Sequence, residues 1–97
     1  MLTLVSPESS VQVSPTTING NHSNNATFNC TALGGPGNLF SWIKLSSGNI
    51  VVSNNSELML VGLMASNGGK YLCSVENQAG NDNSTVTLNG KYSVIIL

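Results

Sequence analysis

Apolar and polar residues alternate along this chain in short runs. No window of a dozen residues carries the i, i+3, i+4, i+7 stripe of an amphipathic helix. Phe28, Cys30 and Ala32 fall on one side of an extended segment, and Thr27, Asn29 and Thr31 on the other. Leu39 to Leu45 reads as a strand with Phe40 and Trp42 inward and Ile43 and Leu45 outward. Ile50 to Val52 is a short apolar run. Leu58 and Leu60 alternate with Glu57, Met59 and Val61, and Leu63 follows. Tyr71, Cys73 and Val75 alternate with Lys70, Leu72, Ser74 and Glu76, and the run Thr85-Val86-Thr87-Leu88 comes last. The first strand has two candidates, Val11 with Val13 before Pro15, or Leu2 to Val5 before Pro7. A proline so close to either run suits a sheet edge.

Turn signals separate the runs. Asn19-Gly20, Gly48-Asn49, Asn67-Gly68 and Asn89-Gly90 read as turn dipeptides, because both residue types tolerate positive φ. Gly34-Gly35-Pro36-Gly37 reads as a tight strand connection, since the Gly-Lys-Ser/Thr ending of a phosphate loop is absent. Seven or eight short strands result, and an all-β antiparallel sandwich is the economical architecture. The expected boundaries are an N-terminal segment or first strand over 1–10, the domain over 11–90, and a C-terminal strand extension or linker over 91–97. The apolar Val94-Ile95-Ile96-Leu97 fits the end of a strand, a linker, or the start of a following strand or membrane helix. Met1 to Val5 lacks the three-region pattern of a secretory leader, and Met1 is expected to be foreign to the natural chain.

Composition narrows the function classes. The 97 residues suit one thin-cored domain, for which a covalent staple would help. Charged residues make up 7%, with no arginine and a formal net charge of −1. A phosphate-binding basic footprint is therefore missing, which argues against nucleic acid and against a polybasic membrane patch. Asparagine, serine and threonine supply the polarity instead. Five Asn-X-Ser/Thr triplets begin at Asn21, Asn25, Asn29, Asn54 and Asn83. In a secretory protein these are glycan acceptors, and glycans would supply part of the solubility that charge does not. Cys30 and Cys73 can form one bridge in an oxidising compartment, or remain two buried thiols in the cytosol. The triplets favour the first.

Cys30 is followed by Trp42 and then by Cys73, with Tyr71 two positions before the second cysteine. Leu58-Met59-Leu60 precedes them, and the run from Asn67 through Gly69, Tyr71 and Cys73 continues to Asn77-Gln78-Ala79-Gly80. This pattern resembles the immunoglobulin superfamily, and its I-set in particular, over roughly Val11 to Leu88. The resemblance implies a disulfide from Cys30 to Cys73 with Trp42 packed on it, a tyrosine corner at Tyr71, and a core that includes Phe28 and Leu60. It departs from the family at Asn67, where an acid is usual. That acid often pairs with a basic residue beneath the sheet. Both halves look absent here, so neutral hydrogen bonds are expected in that place. The short span between the cysteines favours an I-set or constant-type complement over a variable-type one.

No residue set carries catalysis. His22 is the only histidine, so a multi-histidine zinc site is out, and no cofactor or metal is expected. A triad from His22 and Asp82 has nothing to fix its geometry. Glu57 and Glu76 alternate outward and read as solvated. Binding is the remaining option. Ile43, Leu45, Leu72, Thr85 and Thr87 are expected on the outer face of one sheet as a mild apolar patch. Asn21, Asn25, Asn29 and Asn54 are expected on or near the other sheet, shielding it, with Asn83 near the last loop. The resemblance implies an extracellular module of an adhesion molecule or receptor, receptor tyrosine kinases among them. Its partner would be a protein, with a second copy as one candidate, and its parent a candidate for membrane anchoring. The competing reading is a spacer in a tandem array.

Overall fold

The computed structural model describes residues 11–33, 37–78 and 80–91. The Leu2–Val5 alternative, residues 34–36 of the glycine loop and the Val94–Leu97 tail lie outside them. Eight strands form two sheets: β1 (Val11–Ser14), β2 (Thr17–Asn21), β3 (Ala26–Ala32), β4 (Leu39–Lys44), β5 (Ile50–Ser53), β6 (Glu57–Leu60), β7 (Gly69–Asn77) and β8 (Gly80–Lys91). The first sheet is ordered β1-β3-β6 and the second β2-β8-β7-β4-β5. All pairings are antiparallel except β2 with β8. The all-β sandwich expected from the alternation, and immunoglobulin-like as the resemblance implied, is the observed architecture.

The inward positions of both sheets meet in one core. Phe28, Trp42, Leu58, Leu63, Tyr71, Val75, Val86 and Leu88 are buried, and Leu60 packs half-buried against them. Cys30 and Cys73 are joined, with Cα atoms 6.5 Å apart. The Phe28 ring lies 6.1 Å from that of Trp42 and 6.5 Å from that of Tyr71, so three aromatics pack together in the core that holds the bridge. The polar tips of two of them find partners, as buried aromatics with an N–H or O–H must. Trp42 Nε1 donates to the Ser56 carbonyl at 3.3 Å, and the same carbonyl accepts from the Cys30 N–H at 2.8 Å. Tyr71 Oη donates to the Asn67 carbonyl at 2.5 Å, which is the corner that its spacing from Cys73 implied.

Several local expectations are overturned. Asn19-Gly20 and Asn89-Gly90 are not turns. They lie opposite each other in the parallel pairing of β2 with β8. Gly20 is there for packing: a Cβ on it would sit 2.6 Å from Leu63 Cδ1. The same dipeptide signal therefore arose from a close approach rather than from positive φ. Gly48-Asn49 is the turn expected, with φ of 79° and 59°. Asn67 closes a 3-10 turn over Ala65–Asn67, and Gly68 after it has an ordinary negative φ of −65°. Leu45 is not a β4 residue. It begins a second 3-10 turn, Leu45–Ser47.

The neutral hydrogen bond expected at the family's acid is present, since the Met64 N–H donates to Asn67 Oδ1 at 2.7 Å. A cation does approach this corner, contrary to expectation: Lys44 Nζ donates to the neighbouring Ser66 carbonyl. The run Ile50–Val52 becomes β5, which extends the five-stranded sheet beyond β4.

Candidate interaction surface

The outer face of the five-stranded sheet follows from strand register. Residues opposite each other on neighbouring strands project to the same face. Val51 lies opposite Ile43, Ile43 opposite Leu72, and Leu72 opposite Thr85. One row thus crosses four strands as Val51-Ile43-Leu72-Thr85. Its ends are exposed, and Ile43 and Leu72 are half-buried between them. The next row toward the β7–β8 turn is polar, Ser41-Ser74-Asn83. The row on the other side joins Lys70, Thr87 and Thr17. The apolar bar is thus bordered by hydroxyls, the Asn83 amide and the Lys70 side chain.

Ile43, Leu72, Thr85 and Thr87 are therefore brought together on one face. Leu45 stands apart in its 3-10 turn, beyond the end of β4. Val51 joins the row although sequence reasoning did not include it. Its run carried a strand signal but no indication of which strand it would pair with.

The five Asn-X-Ser/Thr triplets divide in part differently from expectation. Asn29 is exposed on β3, opposite Ser14 and Glu57, in the middle of the three-stranded sheet. Asn25 is exposed in the β2–β3 connection, where its Oδ1 accepts from the Gly62 N–H at 3.1 Å. Asn21, expected near that same sheet, instead ends β2 in the five-stranded sheet. It shares the outward parity of Thr17 and Asn19. Asn54 follows β5 and lines a cleft of about 500 Å³ with Leu39, Phe40, Ser41, Ser74 and Glu76, again on the five-stranded side. Asn83 is close to the β7–β8 turn, as expected. It lies within β8, two residues from Thr85 on the same face. Thr85 is thus both a row residue and the hydroxyl residue of the Asn83 triplet. The face with the apolar row is bracketed by triplets rather than free of them, and the part without one is the β5-β4-β7 portion around Val51, Ile43 and Leu72.

Residues considered for chemistry lie far apart. His22 follows Asn21, which pairs at the Lys91 end of β8, whereas Asp82 lies near that strand's start. Glu57 and Glu76 are exposed on different sheets. Among the described residues no three His, Cys, Asp or Glu side chains cluster as a metal site would require. Among them, too, no helix is long and apolar enough to cross a membrane.

Comparison with known proteins places this geometry. The chain superposes on the N-terminal four immunoglobulin domains of Dscam1 isoform 6.9 with a TM-score of 0.73 at 22% identity, over 82% of this chain and 20% of that one. A structure solved for Dscam isoform specificity gives a TM-score of 0.73, 22% identity and the same coverage, 82% and 20%. The chain spans about a fifth of the length of those Dscam chains. The solution structure of the immunoglobulin-like domain of human leucine-rich repeat-containing protein 4 matches with a TM-score of 0.73 and 22% identity, over 95% of this chain and 96% of that one. At such identities the likeness establishes the fold. No curated protein matches the sequence. The immunoglobulin domain family model matches residues 7–77, which carry the bridge, Trp42 and the tyrosine corner. The chain belongs to the immunoglobulin domain family.

Proposed function

We propose that this chain is an extracellular protein-recognition module of a cell-surface adhesion molecule or receptor, and that it recognises a second copy of itself through the β5-β4-β7 face. The observation that carries the reading is the unbroken row Val51-Ile43-Leu72-Thr85, an apolar bar across four strands. A row of this kind on a sandwich is a ready docking surface, and with a formal net charge of −1 little repels two copies. The disulfide favours an oxidising compartment. The similar structures support the setting: immunoglobulin domains of Dscam, one of them solved for isoform specificity, and that of human leucine-rich repeat-containing protein 4. Residues 11–90 are the folding unit in this reading. Exposed Asn21, Asn25, Asn29, Asn54 and Asn83 are its glycan acceptors. Origin in the ectodomain of a receptor tyrosine kinase is one setting for such a module.

Sedimentation velocity of the glycosylated domain over a wide concentration range tests this. Concentration-dependent dimerisation that is lost in the I43S/L72S double variant is the expected result. A monomer at every concentration rejects self-recognition and favours the spacer reading.

A further inference from the structure

The five-stranded sheet ends in a stepped edge. β5 is its last strand, and it covers only the Trp42–Lys44 half of β4. Beyond the step, Leu39, Phe40 and Ser41 of β4 have β7 on one side and, among the described residues, no strand on the other. Both parts of this edge are apolar. Ile50, Val51 and Val52 are 54%, 52% and 40% exposed, and Leu39 is 66% exposed. A strand edge offers a row of free backbone donors and acceptors to any extended partner, and proteins blunt such edges with charge, proline or bulges. Neither charge nor proline occurs in Ile50–Ser53. The one device present is the register shift at Val52, which has no partner on β4. The other sheet edges differ. β6 carries the exposed Glu57, β1 runs into Pro15, and β2 presents Thr, Asn and Gly.

Asn54 stands at the step itself. It is exposed, follows the last residue of β5, and lines the cleft beside the bare Leu39–Ser41 stretch. We propose that Asn54 carries an N-linked glycan that guards this edge, and that without the glycan the edge pairs with the same edge of a second copy. The modification replaces one hydrogen of the Asn54 side-chain amide with C1 of N-acetylglucosamine, taken from a lipid-linked oligosaccharide diphosphate. The lipid diphosphate and a proton leave. A bulky hydrophilic group at the step blocks an antiparallel strand that runs along β5, and equally one that runs along Leu39–Ser41. The second copy is the natural partner because antiparallel edge pairing is self-complementary, and because a net charge of −1 gives two copies little repulsion.

The proposal rests on the extracellular reading, but it concerns the strand edge, which shares only Val51 with the apolar row. The test uses the secreted domain from cells that install N-glycans. Mass spectrometry reads occupancy at Asn54, and sedimentation velocity reads association of the wild type, N54Q and S56A. S56A removes the acceptor triplet while keeping the Ser56 carbonyl that holds Cys30 and Trp42. The expected result is an occupied Asn54 in the wild type and self-association at least ~10-fold tighter in both variants. That gain persists in an I43S/L72S background and disappears with V52K, a charge placed on the edge and outside the apolar row. Should cells retain both variants, endoglycosidase trimming of the folded wild type gives the same comparison. An unmodified Asn54, variants no more associated than the wild type, or a gain abolished by I43S/L72S but not by V52K would overturn the proposal. Loss of dimerisation through the apolar row alone would leave the edge result unchanged, so the two ideas fail separately.

Discussion

The hydroxyl of Tyr71 donates to the carbonyl of Asn67, four residues earlier, at 2.5 Å. This ties the start of β7 to the 3-10 turn that enters it, beside a core ring packed on Phe28. Tyr71→Phe keeps the ring and removes the donor, so the Asn67 carbonyl loses a buried partner. The expected cost is about 1–2 kcal/mol in urea unfolding, with an unchanged slope. A variant as stable as the wild type would show that water replaces the hydroxyl at no cost.

Gly20 presses on Leu63. A methyl group there would meet Leu63 Cδ1 at 2.6 Å and Leu88 Cδ1 at 3.2 Å. Gly20→Ala should destabilise by about 1–3 kcal/mol through overpacking. Leu63→Val alone removes buried methylene and should cost roughly 1 kcal/mol. Combined, the two should cost less than their sum, because the smaller side chain makes room for the new methyl. Simple additivity in thermal or urea unfolding would mean the two residues do not meet.

This pair also explains what the sequence hid. Strands with strong alternation, such as β3 and β7, were legible because every second residue is a buried Phe, Tyr, Cys or Val. β2 was not, since its inward positions are Ile18 and Gly20, and a glycine beside asparagine looks like a turn. Without β2, Asn21 reads as a connection residue near the three-stranded sheet. The polar half of β8 was hidden for a related reason. Asn81 to Ser84 carries no aliphatic residue, and only its pairing with β7 makes it a strand. Of the candidate face, Ile43, Leu72, Thr85 and Thr87 were readable from parity within single strands. The inclusion of Val51 depends on inter-strand register, which no single run encodes.

The bridge closes a loop of sequence separation 43. In the chain-entropy model its removal costs about 4 kcal/mol, a large part of the stability of so small a domain. Cys30→Ala/Cys73→Ala should therefore unfold at much lower urea concentration or fail to be secreted. A double variant with the midpoint of the wild type would show that the core around Trp42 and Phe28 suffices.

Asn83 and Thr85 face the same way on β8. A glycan at Asn83 would stand at the border of the apolar row and hinder association through that face. N83Q should tighten self-association several-fold relative to the wild type. T85S, which keeps the acceptor triplet, should leave occupancy at Asn83 intact while T85A abolishes it, as read by the mass of the secreted domain. Weaker association in N83Q would place the contact elsewhere.

The most direct test follows the methyl groups of the row itself. In an NMR dilution series of the domain, the methyl resonances of Ile43, Leu72 and Val51 should shift with concentration, while those of the buried Leu58 and Leu63 stay fixed. Resonances that do not move at any concentration, or movement confined to Met59 of β6 and Val61 just after it, would contradict recognition through the β5-β4-β7 face.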